Sequence, residues 1–168
     1  EYVESSPLGK AEWMVAMGEI AGKREEAEQI FAQIPQRYNA LREQATAATT
    51  PAPKVMINTP YADSWVMAST SSYVARLIAD AGGDYIYRRN TSNTSMPIDL
   101  EEATRLSAEA DVWINVGSLS TLDDMRRQFP KFADTPCVQR GAVFNCDKRS
   151  HPTGGNDYWE SGVMNPDL

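Results

Sequence analysis

Three segments decide the fold: KVMINT at residues 54–59, SYVARLIADAGGDYIY at 72–87 and DVWINV at 111–116. The first and third are short, mostly apolar runs bounded by turn formers, which predicts strands. In the middle segment Val74, Leu77 and Ile78 recur at helical spacing until two glycines end the helix, and a short strand follows. Strands that alternate with helices predict a mainly parallel sheet with helices on both faces.

The remaining chain extends this pattern in both directions. Asp99 with Glu102 three residues later is a capping-box arrangement, which predicts a helix to about residue 109. A helix at 121–129 and a strand at 142–146 follow, whereas residues 7–46 read as helical with a break at Pro35. The predicted organisation is a connecting helix region at 1–46, a linker at 47–53 and an α/β three-layer lobe at 54–168.

Composition narrows the functional classes. The chain has 168 residues, enough for a single domain of ordinary size, and a net charge of -7. Its paired cations are scattered along the sequence, so no basic footprint for nucleic acid is present. No apolar run approaches the ~20 residues that a membrane-spanning helix needs.

Motifs for bond-making chemistry are not found. The sequence contains no Walker loop, no dinucleotide-binding glycine motif and no Gly-x-Ser-x-Gly elbow. The one histidine, His151, is an isolated loop residue, and the pair Asp123-Asp124 fits the first turn of a helix, where it complements the helix dipole. We therefore predict a protein that is not an enzyme, with no cofactor and no metal site.

The loops beyond the carboxyl ends of the strands are the expected binding region, because ligands of parallel α/β sheets bind there. These loops are residues 60–69, 88–97, 117–120 and 147–162. Aromatic planes and arginine forks suit a bulky anionic ligand. The candidate ligand-binding residues are Tyr61, Trp65, Arg88, Ser118, Arg149, Asn156, Tyr158, Trp159 and Glu160.

Two cysteines flank the predicted last strand. If Gly141 and Ala142 form a two-residue hairpin turn, Cys137 and Cys146 are directly opposite each other, a geometry that supports a disulfide in an oxidising compartment. The alternative is two small buried hydrophobic side chains. The residues alone leave both interpretations open.

Several segments together resemble the class III periplasmic substrate-binding proteins, especially versions from Bacteroidetes-type bacteria. They are SPLGKAEW at 6–13, the strand at 55–61, DVWIN at 111–115, RGAVFN at 140–145 and, most distinctive, GNDYWESG at 155–162. The similarity covers nearly the whole chain, which would be the C-terminal lobe, with the N-terminal lobe and a final helix absent.

The resemblance implies a function in uptake. Such proteins capture a ferric siderophore, haem or cobalamin between two lobes in the periplasm and deliver it to the permease subunits of an ABC importer. An acidic residue on each lobe docks on permease arginines, and here Glu101 is at the matching position. A lipoprotein anchor upstream of the chain would tether it to the membrane. A lone lobe supplies one wall of the cleft, and a ligand needs two walls for tight burial.

Two other interpretations remain at this stage. Nitrogenase-type metal-cluster or cofactor enzymes share a related lobe architecture, but they need more Cys and His ligands than Cys137, Cys146 and His151 provide. A non-transport protein-interaction domain with an acidic surface is the second alternative.

Overall fold

The computed structural model describes residues 4–48 and 51–167, and its first part is helical. The helices are α1 Pro7–Ile20, α2 Arg24–Phe31 and α3 Ile34–Ala48. Pro35 lies in the first turn of α3, where proline is tolerated, so the predicted break occurs just before it. Helix α3 continues into the segment predicted as a linker, of which residues 49 and 50 lie outside the described residues, as do residues 1–3 and 168 of the predicted domains.

A parallel sheet forms the centre of the α/β part. Its strands are β1 Lys54–Ile57, β3 Asp84–Tyr85, β5 Val112–Ile114 and β6 Val143–Phe144, in the order β3-β1-β5-β6. All three pairings are parallel, which confirms the predicted fold class. The chain leaves β1 for β3 on one side and returns across it to β5, so the strand order reverses between β1 and β5.

Helices connect and cover these strands. They are α4 Tyr73–Asp80, α5 Leu100–Ser107, α6 Leu122–Gln128, α7 Pro136–Gln139 and α8 Ser161–Met164. Ser72, Asp99 and Thr121 each cap the following helix by accepting a hydrogen bond from a backbone N–H three residues later. Of the capping box predicted at Asp99, the hydrogen bond from the Glu102 N–H to the Asp99 side chain is thus present.

An antiparallel ribbon was not predicted from the sequence. It consists of β2 Ser64–Met67 and β4 Met96–Asp99, in which Trp65 pairs with Ile98. Alternate residues of β2 point inward, so Trp65 and Met67 are buried while Val66 is exposed. The ribbon therefore fixes the loop after β1 against the core.

Three aromatic rings form the centre of the core. Trp65 lies 5.1 Å from Trp113 and 5.2 Å from Phe132, measured between ring centroids. Both indole N–H groups donate to backbone carbonyls at the end of β1, Trp65 to Ile57 at 2.8 Å and Trp113 to Asn58 at 2.6 Å. The core thereby holds the carboxyl end of β1 in place.

The structure does not form the two-residue hairpin at Gly141-Ala142 that a Cys137–Cys146 disulfide would require. Pro136 starts the short helix α7 with Thr135 as its N-cap, and β6 then pairs in parallel with β5. Cys137 is buried in this helix, whereas Cys146 follows β6, and both are free thiols. Of the two interpretations left open by the sequence, the disulfide is not formed in this structure.

In residues 4–48 and 51–167, no helix is both long and apolar enough to cross a membrane.

Candidate functional site

A cavity of about 580 Å³ lies beyond the carboxyl ends of the central strands. Asn58 after β1, Asn115 after β5 and Cys146 just past β6 are among its lining residues. This position coincides with the reversal of strand order between β1 and β5, the place where open α/β sheets bind ligands. The cavity is therefore the candidate functional site.

Asparagine follows each of three neighbouring strands, in the same register. Ile57 pairs with Ile114, and Ile114 pairs with Phe144, so Asn58, Asn115 and Asn145 form a row across the sheet edge. Asn58 and Asn115 have positive φ values of 64° and 58°, a left-handed conformation that asparagine tolerates better than most residues. Backbone strain of this kind often accompanies functional sites.

Aromatic side chains form the apolar part of the cavity wall. Tyr158 and Trp159 come from the loop before α8 and contact each other edge to face at 4.8 Å, while Tyr73 comes from α4. Burial raises the pKa of Tyr73 to about 12, and burial also raises the pKa of Tyr158. Both phenols are therefore neutral at ordinary pH and add no negative charge to the cavity.

Three cationic side chains line the same cavity: Lys10 of α1, Lys148 and Arg149. The Lys10 Nζ lies 4.4 Å from the Tyr73 ring centroid, a cation–π contact. Arg149 forms an ion pair with Asp157 at 3.1 Å, whereas Lys10 and Lys148 have no ion pair within the described residues. The lining thus has more positive than negative charge and favours an anionic occupant.

The loop that carries these groups is folded back on itself. Ser150 and Asn156 form an isolated antiparallel bridge, and the Asn156 Nδ2 donates to the Cys146 carbonyl at 2.9 Å. The Asn156 Oδ1 accepts the backbone N–H of Tyr158 at 2.9 Å. Asn156, predicted as a ligand contact, therefore positions the aromatic pair from outside the cavity lining.

The structure brings together only part of the predicted site. Arg149, Tyr158 and Trp159 line the cavity. Trp65 is 0% exposed and belongs to the core, so its predicted ligand contact is incorrect for this structure. The reason is the inward orientation of alternate residues in β2.

Four other predicted contacts lie elsewhere. Tyr61 is 83% exposed in the turn before β2, Ser118 is exposed in the loop after β5, and Glu160 is exposed beside the cavity loop. Arg88 pairs with Asp84 and lines a separate charged groove together with Lys54. None of these four lines the cavity in the described part of the chain.

The predicted docking carboxylate is accessible. Glu101 is exposed in the first turn of α5 and has no ion pair among the described residues. Its neighbour Glu102 instead contacts Arg89 at 2.9 Å and Arg105 at 3.8 Å. In the described ranges, no three His, Cys, Asp or Glu side chains are close enough together to hold a metal ion.

Four residues that line the cavity were not predicted from the sequence: Lys10, Tyr73, Asn58 and Asn115. A usable signal existed for the two asparagines, because each directly follows a predicted strand and asparagine is common in left-handed conformations. No local pattern connects Lys10, on the first helix, with loops more than a hundred residues later. Only the packing of α1 against α4 and α8 brings it there.

Comparison with known proteins points to one family. The sequence model described as "Periplasmic binding protein" matches residues 3–150. An uncharacterised lipoprotein of Methanocaldococcus jannaschii is 28% identical over 99% of this chain and 38% of its own length.

Solved structures share the fold. A possible iron-binding (periplasmic solute-binding) protein from Staphylococcus epidermidis has a TM-score of 0.68 at 10% identity, over 98% of this chain and 62% of its own. A periplasmic heme binding protein of Vibrio cholerae has a TM-score of 0.66 at 16% identity, over 97% of this chain and 63% of its own. The chain thus spans about two fifths to just under two thirds of these relatives.

Proposed function

Because the chain belongs to the periplasmic binding protein family, we propose that it captures an anionic metal chelate, a ferric siderophore, haem or cobalamin, for an ABC importer. The cavity at the strand-order reversal carries this proposal, since it combines aromatic planes with an excess of cations. The proposed activity is binding and delivery outside the cytoplasmic membrane, without bond-making chemistry. A lipid anchor would hold the protein at the membrane, in keeping with the lipoprotein relative.

The proposed division of roles follows from the side chains. Tyr158 and Trp159 would pack on the chelate, because both are partly exposed at the cavity and already rest on each other. Arg149 would exchange part of its pairing with Asp157 for the anionic edge of the ligand. The described cavity would supply one wall of a binding cleft, as the sequence resemblance implies.

Titration calorimetry with a ferric siderophore, haem and cobalamin tests this function directly. We expect at least one chelate to bind, and both Trp159→Ala and Arg149→Gln to weaken that binding at least tenfold. Arg127→Gln is the matched control, because Arg127 is likewise an exposed arginine paired with an aspartate, Asp124, but lies on α6 away from the cavity. No heat of binding with any of the three chelates would reject the proposed ligand class.

Delivery to the permease is the second part of the proposal. Glu101 is suited to docking on a permease arginine because its carboxylate is exposed and forms no ion pair with the described residues, in contrast to Glu102. In a pull-down with permease subunits, Glu101→Gln is expected to reduce capture without changing chelate affinity. Glu25→Gln, at the corresponding first-turn position of α2, serves as the control. Equal capture by both variants would argue against docking through Glu101.

A further inference from the structure

A directional chain of hydrogen bonds runs from the ribbon to the floor of the cavity. It begins at the backbone carbonyl of Val66, which accepts the Asn58 Nδ2 at 3.0 Å. A carbonyl oxygen can only accept, so the amide nitrogen of Asn58 must face Val66. The orientation of the Asn58 amide is thereby fixed, with its Oδ1 directed elsewhere.

The next hydrogen bond transfers this orientation to Asn115. The Asn58 Oδ1 accepts the Asn115 Nδ2 at 2.8 Å. The Asn115 amide therefore presents its nitrogen to Asn58, and its Oδ1 forms no hydrogen bond within the described residues. Since Asn115 lines the cavity, its side chain offers an acceptor of fixed polarity there.

The backbone holds both asparagines rigidly. The Asn58 N–H donates to the Ile114 carbonyl and the Asn115 N–H donates to the Phe144 carbonyl, each at 3.1 Å. The buried indole of Trp113 donates to the Asn58 carbonyl. With these groups engaged, the two side chains cannot reorient cheaply on ligand entry, and the acceptor is preorganised.

We propose that the Asn115 Oδ1 selects ligands that carry a hydrogen-bond donor, an N–H or O–H group, beside the anionic edge read by Arg149. This inference rests on the proposed function of the cavity. Asn115 is the specificity-determining contact and Asn58 is a positioning residue that sets its polarity. A chelate without such a donor leaves the acceptor desolvated and unpaired, which a site of this kind penalises.

The donor chemistry of available chelates allows a direct test. Cobalamin is the donor-bearing chelate of choice, because its amide side chains supply N–H donors and its phosphodiester supplies an anionic edge. Haem at neutral pH has peripheral carboxylates and no peripheral N–H or O–H donor. We expect the purified protein to bind a donor-bearing chelate more tightly than haem in calorimetric titrations.

Glycine replacements probe each asparagine without forcing a new side chain into the left-handed backbone conformation. Asn115→Gly is expected to weaken the donor-bearing chelate about three- to tenfold, the range of one net hydrogen bond, and to change haem affinity less than twofold. Asn58→Gly leaves Asn115 in place but frees its amide to rotate, so the ratio of donor-chelate to haem affinity should fall. The exposed loop residue Asn93 provides the control, Asn93→Gly, with an unchanged ratio.

The outcomes separate the two proposals. If no chelate binds, the proposed function is rejected and the selectivity inference with it. If chelates bind but Asn115→Gly weakens haem as much as the donor-bearing chelate, or weakens neither, only the selectivity inference is overturned. If Asn58→Gly has the same ratio of donor-chelate to haem affinity as the wild type, Asn58 does not position the Asn115 amide.

Discussion

Replacement of Trp65 by phenylalanine distinguishes a core residue from a ligand contact. The indole is fully buried between Trp113 and Phe132, and its N–H donates to the Ile57 carbonyl at 2.8 Å. Phenylalanine leaves that carbonyl unpaired, at a cost of about 1–3 kcal/mol. The phenyl ring is also smaller than the indole of Trp65, and the packing that is lost is worth about 1–2 kcal/mol.

The expected total is a loss of about 2–5 kcal/mol in the free energy of unfolding. For a chain of this size, such a loss lowers Tm by roughly 10 °C. Thermal unfolding followed by far-UV circular dichroism measures the shift, and a titration well below Tm measures chelate affinity, which should change less than twofold.

Trp159→Ala is the matched comparison, because Trp159 is 56% exposed at the cavity. It should leave Tm nearly unchanged and abolish most chelate affinity. The opposite pattern, with Trp65→Phe impairing binding at unchanged Tm, would refute the assignment of Trp65 to the core.

Three further substitutions test other parts of the fold. In wild type, the stability from the raised pKa of Tyr73 is fully present below pH 10 and lost as pH rises to about 12. Urea unfolding at pH 9 and 11 should therefore show a pH-dependent loss of stability that is smaller by about 1 kcal/mol in Tyr73→Phe than in wild type; an equal loss in the two proteins would contradict this pKa assignment. Gly83→Ala places a Cβ 3.0 Å from the Ile78 Cγ2, and the crowding should cost about 1–2 kcal/mol in chemical denaturation; a neutral result would mean that the core adjusts freely. Asp99→Ala removes the N-cap of α5 and should cost about 1 kcal/mol, with Asp99→Asn recovering most of it.

Local sequence patterns were sufficient for the parallel sheet. The segments at 54–59, 72–87 and 111–116 combine apolar runs, helical spacing and glycine stops, and each of these acts within a few residues. The sheet edge at which a ligand is expected follows from the strand connectivity, and the cavity lies at that same edge.

The details that failed depend on contacts between distant segments. In β2, Trp65 faces inward because of alternation along the strand, yet the ribbon that creates this alternation needs β4, some thirty residues later. A hairpin at Gly141 would need an extended strand before it. That segment instead forms the short helix α7, which begins at Pro136 because the fixed φ of proline suits a helix start. Arg88 and Arg149 both lie in loops after strands, but Arg88 pairs with Asp84 in a separate charged groove, whereas Arg149 pairs with Asp157 at the cavity.

The wall of the cavity joins α1, through Lys10, to the segment around α8, through Val163. Helix α8 is a single short turn without a fully buried residue, and it is held by packing against α1 and by the hydrogen bonds of the loop before it. An occupant would act as a noncovalent cross-link between stretches from near the two ends of the sequence. When a ligand occupies the cavity, amide hydrogen exchange should therefore slow and protease resistance should rise around Trp159 and α8. These changes should be detectable before any change in the sheet.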